Sequence, residues 1–198
     1  RSLVLDYPAD FLKTARVPFV TVGSSSDPDI VQVDTDTRTA CRDLTRETLQ
    51  KSKTRIALIL GPVTYIVNKD RLDGFTSAFQ AAGKSVEDAF ICTDVAGGKA
   101  VKEAVMQAIS AKAGHIICGD DFICAKATEQ LSASGVKGVR ISSFYNSDVI
   151  RDYSLVDSVV NVDVRSYGFA AGETLIKLLE NEPVEQKNYV SHSILHYH

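Results

Sequence analysis

The stretch Arg55–Lys84, RIALILGPVTYIVNKDRLDGFTSAFQAAGK, changes periodicity partway along. From Ile56 to Leu60 the run is continuously apolar, the pattern of a strand buried on both faces, and Gly61-Pro62 ends it. After a polar turn, apolar residues return at helical spacing over 67–82, and Gly83 stands where a helix-ending glycine belongs. A buried strand, a break and a helix make one βα unit. Arg71 sits near the mouth of that helix, beyond the strand's carboxyl end. Its planar fork is suited to catalysis, a phosphate, vicinal hydroxyls or a carboxylate, or to a solvated ion pair with Asp70 or Asp73. Local spacing leaves these readings open.

The same alternation runs outward in both directions. Predicted strands cover 2–5, 18–22, 29–34, 55–60, 88–93, 114–118, 138–143, 157–162 and 188–196. Predicted helices cover 36–52, 67–82, 98–112, 121–135 and 164–181. Val101, Ala104, Val105, Ala108 and Ile109 fall at i, i+3, i+4, i+7 and i+8, one buried stripe of a helix. Asp120 or Asp121 is placed to cap the helix that follows, and Gly135 to end it. Short apolar strands alternating with helices predict an α/β fold with parallel sheets flanked by helices. Ligands of such folds bind beyond the carboxyl ends of the strands. That rule points to Gly23–Ser26, Gly61–Arg71, Asp94, Gly119–Asp121, Tyr145–Asp148 and Val162–Arg165, with the long connection FYNSDVIRDYSLV at 144–156 among them.

The chain has 198 residues, enough for one large or two small units, with 44% hydrophobic and 24% charged residues, ordinary globular values. A net charge of −3 gives no basic footprint for nucleic acid. No apolar run approaches the roughly 18–20 residues that span a bilayer, and none has the length of a signal-peptide core. The expectation is a cytoplasmic chain without membrane contact. It opens without Met on a strand-like run, as a fragment of something longer does. Cys41, Cys92, Cys118 and Cys124 form no C-x-x-C pair, and reduced thiols are expected.

Catalytic and cofactor motifs are missing from the sequence: no Walker loop, no G-x-G-x-x-G, no G-x-S-x-G elbow. GSSSD at 23–27 reads as a polar loop whose Ser24 can touch a polar ligand. His192, His196 and His198 would share one face of a strand, yet no carboxylate or cysteine joins them, so no metal is expected. His115 reads as a structural histidine. No enzyme activity and no cofactor are expected. A hydrolase-like or deaminase-like enzyme would use Asp120 and Asp121 as acid and base, without the motifs that accompany such chemistry.

Six pieces occur in order: VPFVTVG, VQVDTDTRTACRDLTRETLQKSKTRIALILGP, RLDGFTSAFQAAG, IICGDDFICAKATEQLSASGV, VRISSFYNSD and VVNVDVRSYGFAAGETLIKLLENE. Together they resemble the effector-binding core of the lactose/galactose repressor family of bacterial transcription regulators. The strand ending in Gly-Pro, R-x-x-G-F at the helix start and A-x-x-x-A-G at its end carry much of the likeness.

The resemblance implies a two-lobed periplasmic-binding-protein-like fold. Residues 1–34 and 163–182 would form a partial N-terminal lobe and 35–162 with 183–198 the C-terminal lobe, with three crossovers between them. It further implies a homodimer, a small-molecule effector such as a sugar or nucleoside in the interlobe cleft, and operator DNA bound only through a helix-turn-helix headpiece outside this chain. An extracytoplasmic solute-binding protein of a sugar or nucleoside transporter is the alternative. By position in the pattern, Arg71 matches the family's effector-contacting arginine and Asp120 the aspartate after IICG. Ser147 stands at another effector-contacting aspartate, with Asp148 beside it. Gly119, Gly23 and Val162 replace Asn, Asp and Gln of relatives, so several polar sugar contacts are lost. Phe122 and Tyr145, with Phe144, lie near the same edge, and such aromatic faces suit a flatter or less polar effector.

Overall fold

The computed structural model describes residues 7–150 and 154–198. The predicted strand 2–5 and part of the 144–156 connection lie outside them. In chain order the elements are α1 (Tyr7–Thr14), β1 (Thr21–Val22), β2 (Gln32–Asp34), α2 (Thr37–Lys51), β3 (Arg55–Ile59), α3 (Ile66–Ala81), β4 (Phe90–Cys92), α4 (Gly97–Ser110), β5 (Ala113–Cys118), α5 (Asp121–Ser134), β6 (Arg140–Ser143), β7 (Val156–Val162), α6 (Val164–Leu179), β8 (Lys187–Tyr189) and β9 (His192–His196). The five predicted helices form within a few residues of their expected bounds. Helix α1 lies where the sequence reading places no element; Pro8 in its first turn is tolerated because the first N–H groups of a helix have no internal partner.

The strands assemble into two sheets, ordered β1-β2-β8 and β4-β3-β5-β6-β7-β9. Every pairing is parallel except β7 with β9, where Val160 lies opposite Ile194. The predicted strand 188–196 is two strands in different sheets. Lys187–Tyr189 pairs with β2, and His192–His196 pairs with β7.

The continuous apolar run that opened the sequence reading is the centre of the larger sheet. Ile56, Leu58 and Leu60 point into one core with Leu44, Phe75 and Phe79, under α2 and α3. Ala57 and Ile59 point the other way, toward Val101, Val105, Ile123 and Leu131, under α4 and α5. A strand covered by helices on both faces needs apolar residues at every position, which is why the alternation vanishes there. The stripe read from 101–109 is as expected: Val101, Ala104, Val105 and Ala108 are buried, and Ile109 packs against the same core. Asp120 caps α5 by accepting the Ile123 N–H at 2.9 Å, and Gly135 ends it with φ 67°.

Two packing details place Arg71. A methyl group on Gly74 would collide with the Arg38 carbonyl oxygen and lie 3.0 Å from Cys41 Cβ, so this glycine lets α3 rest directly on α2. The chain also passes between the sheets three times, after β2, after β7 and after β8. These passages are tied together: the Val190 N–H donates to the Asp34 carbonyl at 2.7 Å, and the Tyr167 hydroxyl donates to Thr35 Oγ1 at 2.8 Å.

Candidate functional site

The carboxyl ends of strands from both sheets converge where these passages meet. Two adjoining cavities, of about 400 Å³ and about 410 Å³, open there, and Val22, Gly23, Asp34, Val67, Arg71 and Tyr145 line both. The small sheet supplies Val22, Gly23 and Asp34. Helix α3 supplies Val67 and Arg71, while Tyr145 follows β6.

Arg71 is 6% exposed. Its Nη1 donates to Asn68 Oδ1 at 2.8 Å, and Asn68 in turn donates through Nδ2 to the Pro62 carbonyl at 2.9 Å. The Gly-Pro break therefore anchors the side chain that orients the arginine. The surface ion-pair reading fails on two counts: the guanidinium is buried, and Asp73 pairs with Arg38 instead. Asp70 is half-buried, and burial pushes its carboxyl above the usual range. It lines a third, polar cavity of about 400 Å³ with Arg38 and Lys187, which shares Ser24 and Asp34 with the walls described above.

Ser24, Tyr145 and Asp121 join Arg71 on the cavity walls. Ser24 donates to Asp34 Oδ2 at 2.6 Å. Tyr145 is 47% exposed and forms part of the rim. The other expected residues are not among those lining these two cavities. Asp120 is buried at the cap of α5, and Phe122 is 48% exposed. Ser147 carries a buried hydroxyl without a hydrogen-bond partner among the described residues, and Asp148 opens a short 3-10 turn. Of Gly23, Gly119 and Val162, only Gly23 and Val162 reach the walls.

Asp34 and Tyr167 were missed, while Asn146 lies within the expected Tyr145–Asp148. Asp34 Oδ1 accepts the Thr35 N–H at 2.8 Å and the Tyr167 hydroxyl at 3.2 Å. Burial raises the Tyr167 phenol above its ordinary pKa. Asn146 donates to Asn161 Oδ1 at 2.7 Å and accepts from Tyr197 at 3.2 Å. Asp34 ends a predicted strand, so the strand-end rule would have found it had the last strand residue been counted. Tyr167 carries no such signal.

The remaining candidates are structural. His115 is buried with Nε2 2.8 Å from Ser142 Oγ, and Ser142 bonds on to Ser158 at 2.9 Å. Burial lowers its pKa to about 4. His192 faces Asp43 and His196 faces Glu47, each at 3.2 Å, which ties β9 to α2. Among the described residues no group of three or more His, Cys, Asp or Glu is placed to hold a metal ion, and no helix is long and apolar enough to cross a membrane.

Two parallel sheets with helices on their faces, three passages between them and a cleft at their carboxyl ends define the class of two-sheet ligand-binding domains. Residues 9–166 match the family described as periplasmic binding proteins and sugar binding domain of LacI family, and the chain belongs to it. It is 24% identical over 189 residues to catabolite control protein A of Staphylococcus aureus, covering 91% of this chain and 56% of that protein. It is 25% identical over 190 residues to the HTH-type transcriptional regulator MalR of Streptomyces coelicolor, covering 90% and 54%. The chain thus spans about half the length of these relatives. Its fold superposes on the crystal structure of the transcription regulator CcpA of Lactococcus lactis with a TM-score of 0.87 at 23% identity, over 98% of this chain and 74% of that one.

Proposed function

We propose that this chain is the effector-sensing and dimer-forming part of a cytoplasmic LacI-type transcriptional repressor, without catalysis. The observation that carries the reading is the position of Arg71, a buried guanidinium in the wall of a cavity between the two sheets, beside the point where the chain passes from one to the other. A small molecule held there touches both sheets at once, and its differential affinity for open and closed arrangements biases the equilibrium between them. The N-terminal lobe comprises 1–34 and 163–182, joined by Lys187–Tyr189 through its pairing with β2; the C-terminal lobe comprises 35–162 and the rest of 183–198. In the whole protein the closure alters the geometry of a DNA-binding headpiece on a homodimer. The relative MalR is named a transcriptional regulator, and the structural neighbour CcpA of Lactococcus lactis a transcription regulator, which supports this over a transporter's solute-binding protein.

The test uses the full-length protein. Arg71→Ala should remove the effector-dependent change in operator affinity while sedimentation still shows the dimer. A retained effector response in that variant would refute the reading.

A further inference from the structure

We infer that the polar cavity between α3 and β8 is a second ligand site, for a small zwitterion of the α-amino acid type whose ammonium meets Asp70 and whose carboxylate meets Lys187. The site stands whatever fills the adjoining cleft around Arg71.

The cavity, of about 400 Å³, has the size of a small-molecule site. Its walls come from both sheets. Asp70 reaches it from α3, which covers the larger sheet, and Lys187 and Asn188 reach it from β8 in the smaller one. Residues 35–38, where the chain passes from one sheet to the other, complete the wall. An occupant therefore touches both sheets at a point where they are joined.

The polar groups of this wall fall into two sets. Most are engaged within the chain: Asp34 accepts from Ser24, Thr35 and Tyr167, Asp36 caps α2 through Thr39, and Arg38 pairs with Asp73. The Asp70 carboxylate and the Lys187 ammonium form no hydrogen bond or ion pair among the described residues. Lys187 is nonetheless near enough to ease the charge on the Asp70 carboxyl, which burial pushes up. Asn188 spends its amide N–H groups on the Gln32 and Glu185 carbonyls and keeps Oδ1 as a further acceptor on the same wall.

Charge selects the occupant. A purely cationic ligand drawn to Asp70 is repelled by Lys187, and a purely anionic one at Lys187 faces the carboxylates of Asp34, Asp36 and Asp70. A neutral polyol meets both groups, but with hydrogen bonds about half as strong as charge-assisted ones. A zwitterion meets each free group with the opposite charge and adds no net charge to the cavity.

Calorimetric titration of the full-length protein with glycine, L-serine and L-glutamine, each beside its N-acetyl and carboxamide derivatives, tests this assignment. At least one free amino acid should bind, and its two derivatives, each lacking one charge, should bind at least tenfold more weakly. Lys187→Gln and Asp70→Asn should each weaken that amino acid at least tenfold. Lys187 is exposed, and Asp70→Asn keeps the shape of a side chain whose charge burial already disfavours, so both variants should keep the parent's thermal midpoint. In Lys187→Gln the carboxamide should bind as well as the free amino acid. The assignment is overturned if none of the three amino acids binds, if binding is indifferent to both variants, or if the capped derivatives bind as tightly as the free form. Binding of maltose or galactose that both variants weaken overturns it in favour of a polyol.

Discussion

Asn68 holds Arg71: its Oδ1 accepts from the guanidinium at 2.8 Å while its Nδ2 grips the Pro62 carbonyl at 2.9 Å. One side chain thus connects the end of the β3 segment to the only arginine on α3. Asn68→Leu removes both bonds and leaves a buried guanidinium and a carbonyl short of partners. Losing such buried bonds costs about 1–3 kcal/mol, which urea denaturation of the variant should register. Effector affinity should fall with it, since the arginine is no longer aimed.

Gly74 and Gly168 form a matched pair of mid-helix glycines. Replacing glycine by alanine within a helix stabilises by up to about 1 kcal/mol on propensity alone. At Gly168 nothing among the described residues lies within 4 Å of the added methyl, so Gly168→Ala should raise stability. At Gly74 the methyl meets the Arg38 carbonyl and Cys41, and overpacking of this kind costs about 1–3 kcal/mol. Gly74→Ala should therefore lower the denaturation midpoint. An increase there would mean that α2 and α3 separate freely.

His115 makes stability depend on acid. Its pKa is about 4 in the folded chain, lowered by burial against a smaller opposing pull from Asp157, while the unfolded chain titrates near the ordinary 6.5. Above about pH 6.5 both states hold it neutral and it contributes no penalty. As pH falls from about 6.5 to about 4 the unfolded state takes up the proton first, and linkage removes about 3 kcal/mol of stability. His115→Gln should show a flatter profile through this window when denaturation midpoints are compared at pH 7 and pH 4.

Tyr167 spans the junction of the two sheets through its hydroxyl. Tyr167→Phe keeps the ring and deletes the hydroxyl whose one proton is shared between Thr35 Oγ1 and Asp34 Oδ1 on the first passage. The expected loss is about 0.5–1.5 kcal/mol in denaturation, with faster hydrogen exchange of the Thr35 amide if the link restrains the passage. Unchanged exchange would make the phenol a bystander.

Much of the fold was legible in local pattern. The run Ile56–Leu60 announced a strand covered on both faces, and both faces are covered. The stripe at Val101–Ile109 and the cap at Asp120 follow from helix geometry alone. Other elements were misread for identifiable reasons. The predicted strand 18–22 shrinks to Thr21–Val22, since Pro18 has no N–H to give a ladder. Helix α1 buries only Ala9 and so leaves no apolar stripe to read. The segment 188–196 reads as one extended run, because nothing local marks Val190 as the point where it leaves one sheet for the other.

The candidate site was legible in part. Strand ends drew attention to Ser24, Arg71 and Tyr145, and these three do share a cavity. Asp120, drawn in by the same rule, caps α5 by accepting the Ile123 N–H. Asp34 and Tyr167 take part through partners remote in sequence, Tyr167 lying 132 residues from Thr35, while Asn68 acts on Pro62 and Arg71 close by in the chain.

The sequence by itself determined that strands and helices alternate, which faces they bury, and that a cation stands beyond the end of β3. Periodicity and capping are local, so they are written in consecutive residues. Only the tertiary structure decided that this cation is buried in a cleft. Gly74 lets α3 sit on α2, which brings Arg38 to Asp73 and removes the nearest surface partner that Arg71 had. Which charge finds which partner depends on the distance between packed helices, and that distance is set by side chains far apart in the chain.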